Sequence, residues 1–271
     1  MPALPTPAGA CDCHLHIYED SYPLAPTATF KPPHAPVSAY RKVQQALGLT
    51  RAIIVQPTGY GDDNGLLLAA LRDLGDNARG VAVIAEEDQT EEQLNAMHAA
   101  GVRGIRFMML GGLLPWEALP ATADRIAPLG WHINLQLDGR HLPLHAPMLR
   151  RLPCPLVIDH TAKFLEPVEP SHPSFECLLT LLEEGNTWIK LSAPYETSKH
   201  GPPHYEDVSR LASQLAQQFG DRCLWASNWP HPNRNPVPDD AAMLALLERW
   251  AADEGTRRKI LVDNPARVYG F

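Results

Sequence analysis

Basic charge is in short supply in this chain. Lys and Arg number 23 against 31 Asp and Glu, a formal net charge of −8 over 271 residues. A nucleic-acid binder would carry a basic stripe, so that class of partner is set aside. No apolar run approaches the roughly 20 residues that cross a bilayer, so no membrane partner is expected. The first strand-like run leads into His14-Leu15-His16-Ile17-Tyr18. A dinucleotide fold would place G-x-G-x-x-G there. The five cysteines are odd in number and form no C-x-x-C pair, which points to a reduced, cytoplasmic protein. The opening residues, MPALPTPAGACDCHLH, lack the charged segment and apolar core of a secretory leader. Proline is not scarce, at 27, but it is scattered among apolar periodic segments, so the chain does not read as disordered.

What the chain has is alternation. Strand-like runs fall at Cys11–Ile17, Arg51–Gln56, Arg79–Ile84, Val102–Met108, His132–Leu137, Leu156–His160, Thr187–Ser192 and Cys223–Asn228. Helical spacing occupies Val37–Leu47, Gly65–Leu74, Thr90–Ala100, Phe175–Glu184, Tyr205–Phe219 and Asp239–Trp250, among other stretches. Eight βα units predict an α/β fold of the TIM (β/α)8 barrel type, one domain over 1–271, with a doubly wound sheet as the rival. Many strands end in polar residues: His14 and His16, Gln56, Arg106, Gln136 and Asp138, His160, Ser192 and Asn228. The C-terminal strand ends are where such barrels hold their sites. Long loops at Tyr18–Pro36, Pro57–Gly65, Ala193–Pro203 and Trp229–Asp240 are expected to wall a pocket.

The C-D-C-H-L-H-I segment carries the first chemical signal. Side chains alternate along a strand, so His14 and His16 are expected inside the barrel with Asp12, and Cys11 and Cys13 outside against the helices. An H-x-H pair is a metal-binding arrangement, and a hydrogen-bonded core pair is its alternative. His160, closing P-L-V-I-D-H, would bring a third imidazole, while His132 begins its strand and reads as structural.

The last signal is W-A-S-N-W-P-H-P at Trp225–Pro232. With H-x-H after the first strand and D-H after the sixth, it resembles the amidohydrolase superfamily. The branch it resembles includes 2-pyrone-4,6-dicarboxylate hydrolase and D-galactarolactone isomerase. Asp63-Asn64, Arg103-Gly-Ile-Arg106, Trp188-Ile-Lys190 and Asn264-Pro265 extend the likeness over nearly the whole chain. The resemblance implies a metal-independent or weakly metal-binding barrel acting on carboxylated lactones. The hydrolase pattern places its water-activating aspartate where this chain has Asn228, and its further carboxylate clamps fall on Gly112, Gln136 and Glu196. The pocket motifs look more like the isomerase. They are Gln136-x-Asp138-Gly139, Asp159-His160 with Lys163-Phe164, Tyr195-Glu196-x-Ser198, and an asparagine before W-P-H.

The expected site follows. His14, His16, His160, Asn228 and His231 are the catalytic candidates, with His160 and His231 as proton carriers and Asn228 helping Arg106 hold an oxyanion. Arg106, Gln56, Asn64, Gln136, Lys190 and Tyr195 are the substrate-binding candidates, amides being suited to hydroxyls and Arg106 to a carboxylate. No cofactor is required. A weakly bound divalent metal such as zinc would sit on His14, His16 and His160, opposed by the Arg106 cation. The expected partner is a small carboxylated lactone, opened by hydrolysis. Isomerisation between lactone ring sizes is the alternative, and a non-catalytic sugar-acid binder or an amide-cleaving metalloenzyme stands lower.

Overall fold

The aliphatic runs form strands, and a computed structural model describes residues 6–84 and 89–271. The strands are β1 (Cys11–Leu15), β2 (Arg51–Val55), β3 (Ala78–Ala82), β4 (Val102–Met108), β5 (His132–Gln136), β6 (Leu156–Ile158), β7 (Thr187–Leu191) and β8 (Cys223–Trp225). Each pairs in parallel with the next, in chain order. The ring is joined past β8, where Asn228 N donates to His14 O and His16 N donates to Trp229 O. Outside lie α1 (Val37–Ala46), α2 (Gly65–Leu74), α3 (Glu91–Ala99), α4 (Ala118–Ile126), α5 (Leu142–Leu149), α6 (Pro173–Glu183), α7 (Glu206–Phe219) and α8 (Asp240–Trp250). This is the TIM barrel that the alternation predicts. Helical turns from Glu254 to Tyr269 follow α8.

Two apolar layers hold it together. The larger lies between strands and helices and includes Leu66, Ile105, Leu135, Phe175, Leu215 and Trp250. The smaller fills the barrel, with Ile53, Val55, Val81, Val157 and Leu224 closed off by Tyr269 near the chain end. Each fully buried aliphatic or aromatic side chain contributes about 1.5–3 kcal/mol.

The inner layer also contains Cys11 and Cys13, contrary to the alternation expected for β1. Asp12 faces outward, accepting hydrogen bonds from Tyr40 Oη of α1 and from Ser227 N and Oγ. The pairing of β1 with β2 shifts between Asp12 and Leu15. A one-residue shift exchanges the faces of a strand. That shift lets the cysteines point inward low in the barrel while the histidines still point inward above them.

Four strands, β2, β6, β7 and β8, stop before their polar ends. β6 ends at Ile158, because His160, Thr161, Ala162 and Lys163 take φ values of 53°, 52°, 61° and 42°. Asn228 beyond β8 has φ 63°. Left-handed backbone costs a non-glycine residue roughly 1–2 kcal/mol, so the surrounding structure must impose it. The result is that His160, Lys163 and Asn228 lean over the barrel mouth instead of continuing the pleat.

Candidate active site

The floor of the mouth is a closed polar network. His16 Nδ1 lies 2.7 Å from the carbonyl of Val55, which can only accept, so the proton is on Nδ1. Burial pushes His16 down to about 3, so its ring is neutral and Nε2 accepts. His14 Nε2, 3.3 Å away, is therefore the donor. Burial holds His14 well below the usual imidazole range, which leaves its Nδ1 as an acceptor. His14 Nδ1 lies 3.2 Å from both Lys190 Nζ and Asp159 Oδ1, and of the two only the ammonium has a hydrogen to supply to it. The ammonium's other two hydrogens go to Asn134 Oδ1 at 2.6 Å and Asp159 Oδ1 at 3.0 Å. Asn134 Nδ2 completes the ring to Asp159 Oδ2 at 2.8 Å. Burial pushes the Asp159 carboxyl up, but the Lys190 ammonium more than offsets that and holds it well below the carboxylate range.

This network answers the metal question. His14, Asp159 and His160 each bring a ligand atom, all within 4.8 Å of one another. The expected third histidine, His16, is not in that cluster. Two of the three groups already face Lys190 Nζ, so an ammonium stands where a divalent ion would bind. Adding a second cation about 4 Å away costs roughly 1–4 kcal/mol across plausible dielectrics. The donor set does not fit a divalent ion without displacing Lys190, and none of the steps below passes through one.

Above the floor is a cavity of about 370 Å³ that receives His16, Arg106, Gln136, His160, Glu196 and Asn228. A second hollow of about 250 Å³ shares Thr58, Arg106 and Met108 and runs out beneath Thr27, Thr29 and Gly111–Leu113. Arg106 stands between them. Its Nη1 donates to Gln56 O at 2.8 Å and its Nη2 to Gln136 Oε1 at 3.1 Å. Its Nε is buried and has no partner. A buried cationic N–H left open is costly unless an anion completes it.

His160 Nδ1 lies 2.8 Å from Ser192 Oγ, which leaves Nε2 for the cavity. Burial pushes His160 down to about 4, against the raising influence of Glu196 and Asp159, so the ring is neutral near pH 7. Asn228 is oriented by its neighbours. Its Nδ2 donates to Tyr195 Oη at 2.9 Å and to Glu196 Oε1 at 3.2 Å, so both amide hydrogens are used. Only Oδ1 is left to offer, and an oxyanion would find no donor there. The expected oxyanion role of Asn228 is therefore corrected to that of an acceptor.

Other expected residues lie behind the wall. His231 Nδ1 meets Tyr195 Oη at 2.7 Å and its Nε2 meets Asp240 Oδ1 at 2.9 Å. With both nitrogens engaged, His231 orients Tyr195 and Asn228 and does not carry protons to a ligand. Tyr195 likewise backs Asn228 and does not line the cavity. His14 and Lys190 are fully buried below it. Gln56 Nε2 ties Gly61 O and Asp63 O, holding the second loop through its backbone.

Asn64 is the clearest correction. Its Oδ1 accepts from Val83 N at 3.1 Å, and its Nδ2 donates to Val83 O at 2.7 Å and Asp62 O at 2.9 Å. It pins the chain after β3 and faces away from the mouth. Asn64→Ala is expected to lower stability by about 1–3 kcal/mol through the orphaned Val83 groups. The Michaelis constant should stay within about twofold. Urea unfolding beside steady-state kinetics checks this; a large rise in KM with unchanged stability would return Asn64 to the substrate.

Glu196, Asp159 and Ser192 are placed at the site by the pocket motifs and the strand ends, but sequence reasoning gave them no role there. A role for Asp159 could have been read from the D-H pair itself, since it sits one residue from His160. Glu196 is held in place from outside the barrel, where Asp207 of α7 fixes the loop through Ser198 Oγ and Lys199 N.

Comparison with known proteins gives one family and close relatives. A family model described as amidohydrolase matches residues 11–271. The D-galactarolactone isomerase of Agrobacterium fabrum (strain C58 / ATCC 33970) is 34% identical over 269 residues, covering 97% of this chain and 91% of that protein. The 2-pyrone-4,6-dicarboxylate hydrolase of Comamonas testosteroni is 33% identical over 282 residues, covering 99% and 92%. A ligand-free crystal structure of an Agrobacterium tumefaciens protein superposes with a TM-score of 0.93 at 34% identity, covering 100% of this chain and 98% of that one.

Proposed function

The chain belongs to the amidohydrolase family, and from that premise we propose that it opens the ester of a carboxylated, sugar-acid type lactone by hydrolysis. The observation that carries this reading is the buried guanidinium of Arg106, which lines the same cavity as His160. The guanidinium anchors the free carboxylate of the lactone. Gln136 and the acceptor Oδ1 of Asn228 meet ring hydroxyls. His160, neutral and fixed by Ser192, handles a proton at Nε2. His14 and His16 set the tautomers beneath. The reaction requires no metal, and a divalent ion such as zinc would be held weakly because Lys190 already occupies the ligand cluster.

Isomerisation is the second reading, favoured by Asn228. An amide cannot activate water by taking its proton, whereas a hydroxyl of the lactone itself benefits from effective molarity. A ¹³C NMR time course on D-galactarolactone in the presence of a chelator tests both. Direct growth of the open-chain carboxylate is the expected result. A second lactone carbonyl growing before any free acid would replace hydrolysis with isomerisation. No turnover of any carboxylated lactone, with saturable binding, would leave a sugar-acid binder.

A further inference from the structure

Either reaction needs a group that takes a proton from the attacking oxygen, and the residues at the mouth narrow the choice. Asn228 has spent both hydrogens and its Oδ1 is not basic. His16 has both nitrogens engaged, and His160, with Ser192 Oγ donating to its Nδ1, has its Nε2 proton for the lactone carbonyl and no lone pair left for the attacking oxygen. Among the described residues lining the cavity, one carboxylate is present, that of Glu196. Its side chain is 15% exposed, and it forms an ion pair with Lys163 through Oε2. Asn228 donates to Oε1 at 3.2 Å. A carboxylate oxygen accepts in about two directions, so Oε1 keeps one beyond the Asn228 contact, while Oε2 is buried against Lys163.

We propose, resting on the lactone reading above, that Glu196 is the catalytic proton acceptor and Lys163 and Asn228 are the residues that position it. The carboxylate stands beside the asparagine and reaches in from the seventh loop, so the base has moved by one barrel strand and not disappeared. Burial pushes the Glu196 carboxyl up, but His160 and Lys163 more than offset this and hold it below the usual range, so it is ionised near pH 7.

The step balances as follows. The attacking O–H gives its proton to Glu196 as its oxygen bonds to the lactone carbonyl carbon. The ring C–O bond then breaks, its electron pair goes to the ring oxygen, and the protonated Glu196 returns the proton to that oxygen. With water as attacker, the new carboxylic acid releases one proton to solvent at neutral pH. With a substrate hydroxyl as attacker, no net proton is exchanged, and one shuttle serves both halves. The same residue therefore serves whichever attacker the time course identifies.

The test uses the full chain with D-galactarolactone. Wild type, E196Q, K163M and the double variant E196Q/N228D are compared in kcat and KM, with thermal melting as a check on folding. Glutamine keeps an oxygen for the Asn228 hydrogen, so E196Q is expected to fold, with melting lowered by the loss of the Lys163 pair to no more than K163M shows. Its kcat should fall about 10²–10⁴-fold, the range of general acid–base catalysis, with KM changed less than about fivefold. K163M, which only positions the carboxylate, should lose less. E196Q/N228D, which puts a carboxylate back in the cavity one strand away, should recover at least about tenfold of kcat over E196Q. A merely structural role would show no recovery. Retention of kcat within about threefold in E196Q, or loss confined to KM, overturns the proposal. If wild type turns over no lactone, the functional reading fails and takes the proposal with it, an outcome distinct from an active wild type with an active E196Q.

Discussion

The protein is expected to unfold in mild acid, losing stability steeply between about pH 6 and pH 4. The cause is a set of histidines that the fold keeps neutral. Burial pushes His16 and His132 down to about 3, His160 down to about 4, and His14 well below its usual range. In the unfolded chain each titrates near pH 6.5. Between the two values the unfolded state binds the proton and the native state does not. Stability therefore rises with pH across that window and is lost as pH falls. Asp12 acts in the opposite sense. Burial raises it to about 6, so the native state keeps a proton that the unfolded chain releases near pH 4. Four histidines against one aspartate leave three net protons, or about 4 kcal/mol per pH unit. For a domain that holds about 5–10 kcal/mol, within the common range, the acid midpoint should fall between about pH 4 and pH 5.5. Urea unfolding at a series of pH values measures this slope directly. His132→Phe, at the barrel floor away from the mouth, should lower it by about one proton. A stability curve that stays flat from pH 6.5 to 4.5 would mean these rings are protonated in the native state, and the tautomer chain beneath the site would fail with it.

The barrel was legible because its signals are periodic. Eight apolar runs with helical stretches between them leave few topologies, and the polar strand ends mark one face. The helices α4 and α5 were harder to read, since Pro120, Pro143 and Pro147 interrupt their spacing. The facing of Cys11 and Cys13 was misread because the alternation rule assumes an unbroken register, and β1 shifts between Asp12 and Leu15. Within the site, Arg106, Gln136, His160 and Asn228 could be placed from their positions alone. Hydrogen-bond commitments could not. Whether Asn228 offers N–H or C=O to the cavity depends on Tyr195 and Glu196, more than 30 residues away. The same holds for Asn64, whose amide faces Val83 across the second and third units, 19 residues on. Lys190 could be named as a candidate but not given its partners, because these come from β1, β5 and the end of β6.

Those partners make Lys190 the residue whose loss should damage the fold most. Lys190→Met is expected to cost about 3–5 kcal/mol, the penalty for leaving one partner of a buried ion pair uncompensated. The stranded group is Asp159, itself fully buried between Asn134 and His14. The sign of the pH dependence should also change. In the wild type Asp159 is held low, so its contribution is present above its unfolded value near pH 4 and is lost as pH falls below that. Without Lys190, burial dominates and the folded value rises above the unfolded one. The carboxyl then favours its neutral form, and the variant should lose stability as pH rises from 5 to 8 relative to wild type. Adding Asp159→Asn should recover at least about half of the loss, since removing both charges of a buried pair is far less costly than removing one. The asparagine amide can also give His14 Nδ1 the hydrogen that Lys190 supplied, restoring the tautomer that directs His14 Nε2 toward His16. Urea midpoints for the two single variants and the double variant at pH 5 and pH 8 decide the matter. A Lys190→Met chain within about 1 kcal/mol of wild type would show that the ammonium is not the counterion of the barrel. A divalent ion would then become the natural candidate for the His14, Asp159 and His160 cluster.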